Sequence, residues 1–389
     1  PILTLRTVTI AALVVLLLAP EAVVHPSFQM SFAATLALIA AYSHGLPAMR
    51  AGRDSPLHAR AALWGVNEAI GLVLASLIAG LATTPYAAYH FHRLAPYGVL
   101  SNLLAMPVVS AWVMPMGILG VLAIPLGFDA EFWRQMGYGI EWMDAVALWV
   151  ASLPGAFGRV TSFGTGTLLL ATAGLLLIGL LKTPLRWSGV LFVALAIVVA
   201  ARTPRPDILV ASDGRIFALR GADGRLAFHR NGGDTFTIKE WLAADADGRN
   251  ERDPKLGAGI ACDPSGCVGK LADGRLVSYA LSPEAFEEDC RRAAVVVATR
   301  DPPPECAAMV IGRKLWRPRG ALTLRADGKG FVLEAARPAN FDRPWARSAR
   351  TSAAADDAAK STVAVKSIAA SRNAPRDATP RAEDLDAGE

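Results

Sequence analysis

What constrains this chain most is a series of apolar runs, each near the length of a membrane crossing, that fills the sequence up to Ala201 and then stops. A hydrocarbon core ~30 Å thick is crossed by ~20 mostly apolar helical residues. Runs of that order are Thr7 to Ala19, Ser27 to Tyr42, Ala61 to Leu81, Tyr97 to Leu126, Met136 to Ser152, Thr165 to Leu181 and Trp187 to Ala201. The first, second and last are short, and the fourth is long enough to bend. Inside the fourth, Pro107, Pro115 and Pro125 each remove a backbone donor, which predicts a kinked or broken helix. Such breaks persist in membranes only where protein or water supplies partners. With 53% hydrophobic residues and a mean hydropathy of +0.34, an ordinary soluble enzyme is excluded.

Glu131 to Trp149 is ambiguous as a span. Glu131, Arg134, Glu141 and Asp144 interrupt it, while Phe132, Trp133, Tyr138, Trp142 and Trp149 would suit a helix lying along the interface. Arg50, Arg53 and Arg60 crowd one loop, and Lys182 with Arg186 crowd another, so the bias of basic loops places both in the cytoplasm. Both placements hold only if Glu131 to Trp149 crosses, and they send the region after Ala201 to the periplasm. The net charge of +5 decides less: it suits phosphates or anionic lipid, but cytoplasmic loops alone produce it. Pro1 leads almost directly into the run Val8 to Leu18 with no Met start, basic segment or cleavage site, which reads as a fragment of a longer protein.

From Asp207 the pattern becomes short β-branched and aromatic runs separated by Asp-Gly pairs at Asp213, Asp223, Asp273 and Asp327, each suited to a hairpin turn. Strands are expected over Ile208 to Ala211, Ile216 to Arg220, Arg225 to His229, Arg275 to Leu281, Val295 to Thr299, Ala321 to Arg325 and Gly330 to Ala335. Helices are expected over Thr237 to Ala244 and Pro283 to Arg292. The recurring Ala-Asp-Gly-Arg is irregularly spaced, so repeated turn chemistry explains it better than a solenoid. Beyond Trp345 the composition predicts disorder. The expected fold class is thus a multi-pass α-helical membrane domain over residues 1–201, a soluble β-rich α/β domain over 207–345 and a disordered tail over 346–389.

All four cysteines, Cys262, Cys267, Cys290 and Cys306, fall in the polar region. In a periplasmic domain, bridges Cys262 to Cys267 and Cys290 to Cys306 would be natural, each closing a short loop. Free buried thiols and a four-thiolate zinc site remain as rivals, although the second pair is too widely spaced for the usual zinc pattern. His229 is the one histidine of that region, and one histidine cannot build a hydrolytic zinc site. It reads as an exposed strand residue.

Several polar residues stand out among the spans. Gln29 and Ser31 sit at the mouth of the second, behind Pro26, where they need hydrogen-bonding partners. Glu68 beside Asn67 is an ionisable group inside the third, which should face a bundle interior or an aqueous cavity at a cost of ~3 kcal/mol, or serve a packing hydrogen bond when protonated. Asn102 would satisfy carbonyls freed by Pro107 or line a pore. His90, His92 and Arg93 lie at a membrane boundary, where they would meet a phosphate backbone or anchor the helix at the interface.

The run His25-Pro26-Ser27-Phe28-Gln29-Met30-Ser31-Phe32 resembles the Ser-Phe-Gln-Leu-Ser-Phe signature of the ComEC competence family, with Met30 in place of Leu. Farther on, Tyr89-His90-Phe91-His92-Arg93 leads into Asn102-Leu103-Leu104-Ala105-Met106-Pro107, similar to that family's Phe-His followed by Asn-Leu-Leu-Ala-x-Pro. The resemblance extends from Pro1 to roughly Gly158. It implies a bacterial inner-membrane channel component that passes single-stranded DNA into the cytoplasm during natural transformation. Gln29, Ser31, Glu68, His90, His92, Arg93 and Asn102 would line the DNA path, and Pro107 and Pro115 would kink a helix beside it. Implied partners are single-stranded DNA, the lipid bilayer, a periplasmic DNA-binding competence protein and a cytoplasmic helicase, with an oligomer left open. The family also implies a metallo-β-lactamase-like domain after the membrane part. Here its His-x-His-x-Asp-His ligand motif is absent, and Arg300-Asp301-Pro302 stands where a His-His-Gly is expected, so a degenerate scaffold without metal, cofactor or catalysis is the reading. Two other classes share these features. One is a small-molecule transporter or a membrane-anchored sensor with a β-rich domain, for which no internal repeat speaks. The other is a hydrolase with Asp and Cys ligands, which metal analysis of the polar region would test.

Overall fold

The computed structural model describes residues 5–43, 57–230, 232, 234–328 and 330–337, with 57–64 as backbone alone. Arg50 and Arg53 and the tail 346–389 lie outside the described residues, and nothing is described of the Arg60 side chain. Two units divide the chain, one over Pro1–Thr203 plus the short Ala243–Ala246, the other over the remainder.

The first unit consists of helices α1 (Leu5–Leu18), α2 (Pro26–Ser43), α3 (Leu57–Phe91), α4 (Gly98–Val108), α5 (Met114–Ala123), α6 (Asp129–Ser152), α7 (Thr165–Leu180) and α8 (Ser188–Ala201). Pro26 opens α2, where its fixed φ suits a first turn and its missing N–H costs nothing. A π-helical turn over Val109–Val113 separates α4 from α5, between Pro107 inside α4 and Pro115 near the start of α5. A wider turn is what a helix adopts where proline removes an i to i−4 bond and its ring crowds the preceding carbonyl. Among the described residues, the helical segments Gly65–Phe91, Gly98–Leu126 and Pro184–Ala201 are long and apolar enough to cross a membrane, whereas Leu5–Leu18 and Thr165–Leu180 are apolar but shorter.

Helix α6 is not among the long apolar segments. The polar groups of its first two turns satisfy one another: Trp133 Nε1 donates to Asp129 at 3.0 Å, Gln135 Nε2 donates to Glu131 at 2.8 Å, and Arg134 pairs with Glu131. Gly139 lets α6 pack against the π-helical turn, since a Cβ there would lie 2.6 Å from Val113. Helices α7 and α8 meet in the same way through Gly174 and Gly189, small residues that let two backbones approach.

In the second unit the chain runs through β3 (Ile208–Val210), β4 (Ile216–Arg220), β5 (Leu226–Arg230), α9 (Phe236–Ala244), β6 (Ile260–Cys262), β7 (Gly266–Lys270), β8 (Leu276–Ala280), α10 (Ala285–Arg292), β9 (Val295–Ala298), β10 (Met309–Ile311), α11 (Arg313–Arg319), β11 (Leu322–Asp327) and β12 (Gly330–Ala335). The numbering starts at β3 because Arg93–Leu94 and Gly158–Arg159 form a two-residue ladder, β1 and β2, in the helical unit. One sheet has the order β12-β11-β3-β4-β5 and is antiparallel throughout. The other has the order β10-β9-β8-β7-β6, parallel across β8, β9 and β10 and antiparallel elsewhere. The parallel pair β8 and β9 needs a crossover, which α10 provides.

Phe217 and Leu219 of one sheet and Val277, Tyr279, Val295 and Val297 of the other share the central core. The alternate residues Ile216 and Ala218 face outward onto Ile238 and Leu242 of α9. On the second sheet Val296 and Ala298 face Phe286 and Cys290 of α10. The unit is therefore four layers, helix, sheet, sheet, helix, and its inner strands β4 and β9 are covered on both faces, which is why β4 reads as a continuous apolar run, while alternate residues of β7 and β12 stay exposed. At the hairpins Gly214, Gly224 and Gly274 take φ of +69°, +74° and +89°, and the preceding aspartate of each pair accepts from the arginine N–H two residues on.

Strands β6, β7 and β10 and helix α11 were not expected from sequence. Gly266-Cys267-Val268-Gly269-Lys270 has little strand propensity. It forms because Gly269 lets Leu219 of the facing sheet pack where any Cβ would collide.

Candidate functional site

The residues singled out in two separate motifs of the helical unit meet at one hydrogen bond. His90, at the end of α3, donates from Nε2 to Gln29 Oε1 of α2 at 2.8 Å, and Gln29 Nε2 donates to the Val23 carbonyl at 2.9 Å. Both ends of the amide are thus used, and the acceptor oxygen fixes the proton on His90 Nε2. The same end of α3 is tied to α7, because Tyr89 and Thr165 share a hydroxyl bond at 2.9 Å and buried Tyr86 donates to Thr172 at 3.1 Å.

Past Phe91 the chain turns sharply. His92 takes φ 55°, uncommon for a residue with a side chain, and its carbonyl accepts from Val160 at 3.1 Å. Arg93 then pairs opposite Arg159 in the β1–β2 ladder, which sets two cationic residues side by side at this end of the unit.

The other expected positions are not gathered here. Ser31, Glu68 and Asn102 are exposed on α2, α3 and α4. Glu68 lies on α3 beside Val66 and Ala69, all three exposed. Tyr86, Tyr89, Thr165, Thr172 and Arg159 were not foreseen. Tyr89 opens the His-containing motif and Tyr86 lies one turn before it, which was the available signal for the tyrosines, while nothing in the sequence pointed to Arg159.

In the β-rich unit the expectation that His229 is an exposed strand residue needs correction. It is half-buried, with its ring 5.5 Å from Phe217 and 5.0 Å from Tyr279, and Phe217 stacks on Tyr279 at 5.1 Å. Cys262 is joined to Cys267 and Cys290 to Cys306. His229 Nδ1 lies 3.3 Å from Cys267 Sγ and 3.5 Å from Cys262 Sγ. The three donor atoms lie within 4.8 Å of one another, yet both sulfurs are committed to a disulfide, which leaves no thiolate to coordinate a cation.

Burial holds the His229 imidazole below the usual histidine value. A lowered value in the folded state means that the unfolded chain binds the extra proton first. No penalty exists above the unfolded value near ~6.5, and one accumulates as pH falls through that value toward the folded one. The thermal midpoint of the β-rich unit should therefore drop between pH 7.5 and pH 5.5, and His229→Phe should flatten that slope. An unchanged slope in the variant would remove His229 from the account.

Residues 1–185 match the family model described as Competence protein. The "ComE operon protein 3" of Bacillus subtilis (strain 168) is 28% identical over 147 residues, which is 38% of this chain and 16% of that protein. The match thus spans a small part of that relative's length. No solved structure matches the chain significantly.

Proposed function

We propose that this chain, whose residues 1–185 match the competence family model, acts in DNA uptake, as part of a multi-pass inner-membrane channel that admits one DNA strand to the cytoplasm. The observation that carries this reading is the Gln29–His90 bond, which joins the two motifs that bear the family resemblance into one polar contact among apolar helices. A polyanion cannot pass through hydrocarbon, so polar groups must replace water along its path. Gln29 and His90 hold the helices that flank the path. Arg93 opposite Arg159, with His92 beside them, offers cations to phosphates at its mouth. Ser31, Glu68 and Asn102 supply exposed polar groups along it.

The β-rich unit fits a lactamase-like scaffold that has lost its metal site, a reading supported by two sheets packed between helices. Its role is docking or gating. Lys182 and Arg186 precede α8, and the Arg186 guanidinium stacks over Trp187 at 5.0 Å, the kind of contact that anchors a helix at an interface. With those cations in the cytoplasm, one crossing by α8 delivers the β-rich unit to the periplasm, where disulfides persist.

The bond is tested by a double-mutant cycle in cells that depend on this chain for transformation. Gln29→Leu and His90→Phe should each lower transformation about tenfold, as a loss of ~1.4 kcal/mol would, and the double variant should lose little more. Normal transformation by both single variants at normal protein level would refute the assignment.

A further inference from the structure

We propose that the Cys262–Cys267 bridge is a thiol–disulfide exchange centre that accepts electrons from a dithiol, with His229 carrying the proton between the two sulfur pairs. The proposal stands apart from the transport reading and rests on a difference between the two bridges of the β-rich unit.

Cys290 and Cys306 are 7% and 5% exposed and packed with Phe286, Ala293 and Ala308, so neither sulfur is open to attack. The other bridge is lopsided. Cys262 is exposed while Cys267 is 1% exposed, so an incoming thiolate reaches only the Cys262 sulfur. A cleft of about 300 Å³ opens over it, lined by Cys262, His229, Arg230, Glu251, Arg252 and Ile260. That volume is at the small end for ligand sites, enough for a small dithiol or the tip of a protein loop that carries one.

His229 supplies what the chemistry needs. Its Nδ1 is within 3.5 Å of both sulfurs, and burial holds its pKa below the usual histidine value, which favours the neutral ring that can take a proton from the incoming thiol. One thiol of the dithiol gives its proton to His229, and the thiolate attacks Cys262 Sγ. The S–S bond breaks, and its electron pair leaves on Cys267 Sγ, which takes the proton from the imidazolium. The second thiol then attacks its own partner sulfur in the mixed disulfide and releases Cys262 as a thiol. The dithiol ends as a disulfide, and both of its hydrogens and two electrons reside on Cys262 and Cys267.

The hairpin does not need the bridge to keep its shape, which a reversible site requires. Ladder pairs Ile260↔Gly269 and Ala261↔Val268 continue beside it, and Asp263 Oδ1 accepts from the backbone N–H groups of Ser265 and Gly266.

The test uses the full chain in detergent, treated with dithiothreitol, quenched in acid, alkylated and read by peptide mass spectrometry for both bridges. Cys262–Cys267 should open at least about tenfold faster than Cys290–Cys306, as the exposure of the attacked sulfur and a stabilised leaving group require. His229→Gln should slow the first about tenfold and leave the second unchanged, whereas a loss of fold would speed both. A second arm offers a thioredoxin-type protein that has lost its second cysteine. Its capture on Cys262 assigns a protein dithiol as the source, and reduction by dithiothreitol without capture assigns a small one. Equal opening of the two bridges in the unsubstituted chain, capture on Cys267, or a His229→Gln rate equal to that of the parent would overturn the proposal.

Discussion

Replacing Phe217 by alanine should lower the stability of the β-rich unit by ~3–5 kcal/mol, the range for emptying a buried aromatic site. Phe217 is fully buried on β4, stacks on Tyr279 of the opposite sheet at 5.1 Å with their planes 11° apart, and touches the edge of the His229 cluster. Few single positions tie the two sheets together so directly. Tyr279 cannot follow the void, because its hydroxyl donates to the Gly214 carbonyl at 2.9 Å in the hairpin between β3 and β4. The cavity therefore stays largely open, and the cost falls toward the upper part of the range. Urea unfolding of the full chain in detergent, followed by hydrogen exchange of peptides from β4 and β8, which belong to the same core, would read it. A shift below ~1 kcal/mol would mean that the sheets do not share one core.

In the helical unit the largest effect should come from a single methyl group. A Cβ at Gly189 would collide with the Gly174 carbonyl oxygen and lie 2.7 Å from Ile178, so Gly189→Ala must push α7 and α8 apart along the contact they share. Overpacking of this kind costs ~1–3 kcal/mol, and in lipid no hydrophobic gain offsets the lost backbone approach. Gly179, also on α7, provides the control. Its Cβ would meet Leu36 at 3.7 Å and Ala40 at 3.9 Å, ordinary contacts, so Gly179→Ala should be tolerated. Amounts of protein in the membrane and resistance to protease should fall for the first variant and hold for the second. Equal behaviour of the two would show that α7 and α8 do not pack through these glycines.

The sequence revealed elements better than it revealed contacts, for a physical reason. Apolar length and proline position are local properties, so the positions of α2, α7 and α8 and the break after Pro107 follow from the residues themselves. Asp-Gly pairs likewise fix hairpins through a backbone angle that glycine adopts freely, which is why β4 and β12 lie where the turn chemistry puts them. Strands β6 and β7 escaped because what sustains them is remote: Gly269, which admits Leu219 of the facing sheet, lies fifty residues from its partner in the chain. The expected length of the third span also fell short. Helix α3 continues to Phe91, past Pro85, because Tyr86 and Tyr89 find partners on α7 that no local pattern discloses.

The same distinction applies to the candidate site. Gln29 and His90 each drew attention as polar groups among apolar ones, but they are 61 residues apart and only the fold joins them. Glu68 and Asn102 drew attention on the same grounds and remain apart on exposed faces. A polar residue in an apolar helix signals that a partner is needed, and it does not say which one. His229 follows the same logic: a single histidine cannot make a zinc site, and its place beside the Cys262–Cys267 bridge comes from strand pairing that no local pattern discloses.

The central claim, that one DNA strand passes along the polar groups beside the Gln29–His90 bond, can be tested in living cells. A benzophenone side chain carried at position 31, two residues beyond Gln29 and exposed, would be irradiated while cells that depend on this chain take up labelled duplex DNA. The account predicts label on the chain that is removed by a nuclease specific for single strands, and its loss when Gln29→Leu is added. Normal uptake with no label at position 31, nor at position 102 when the probe is moved there, would contradict it.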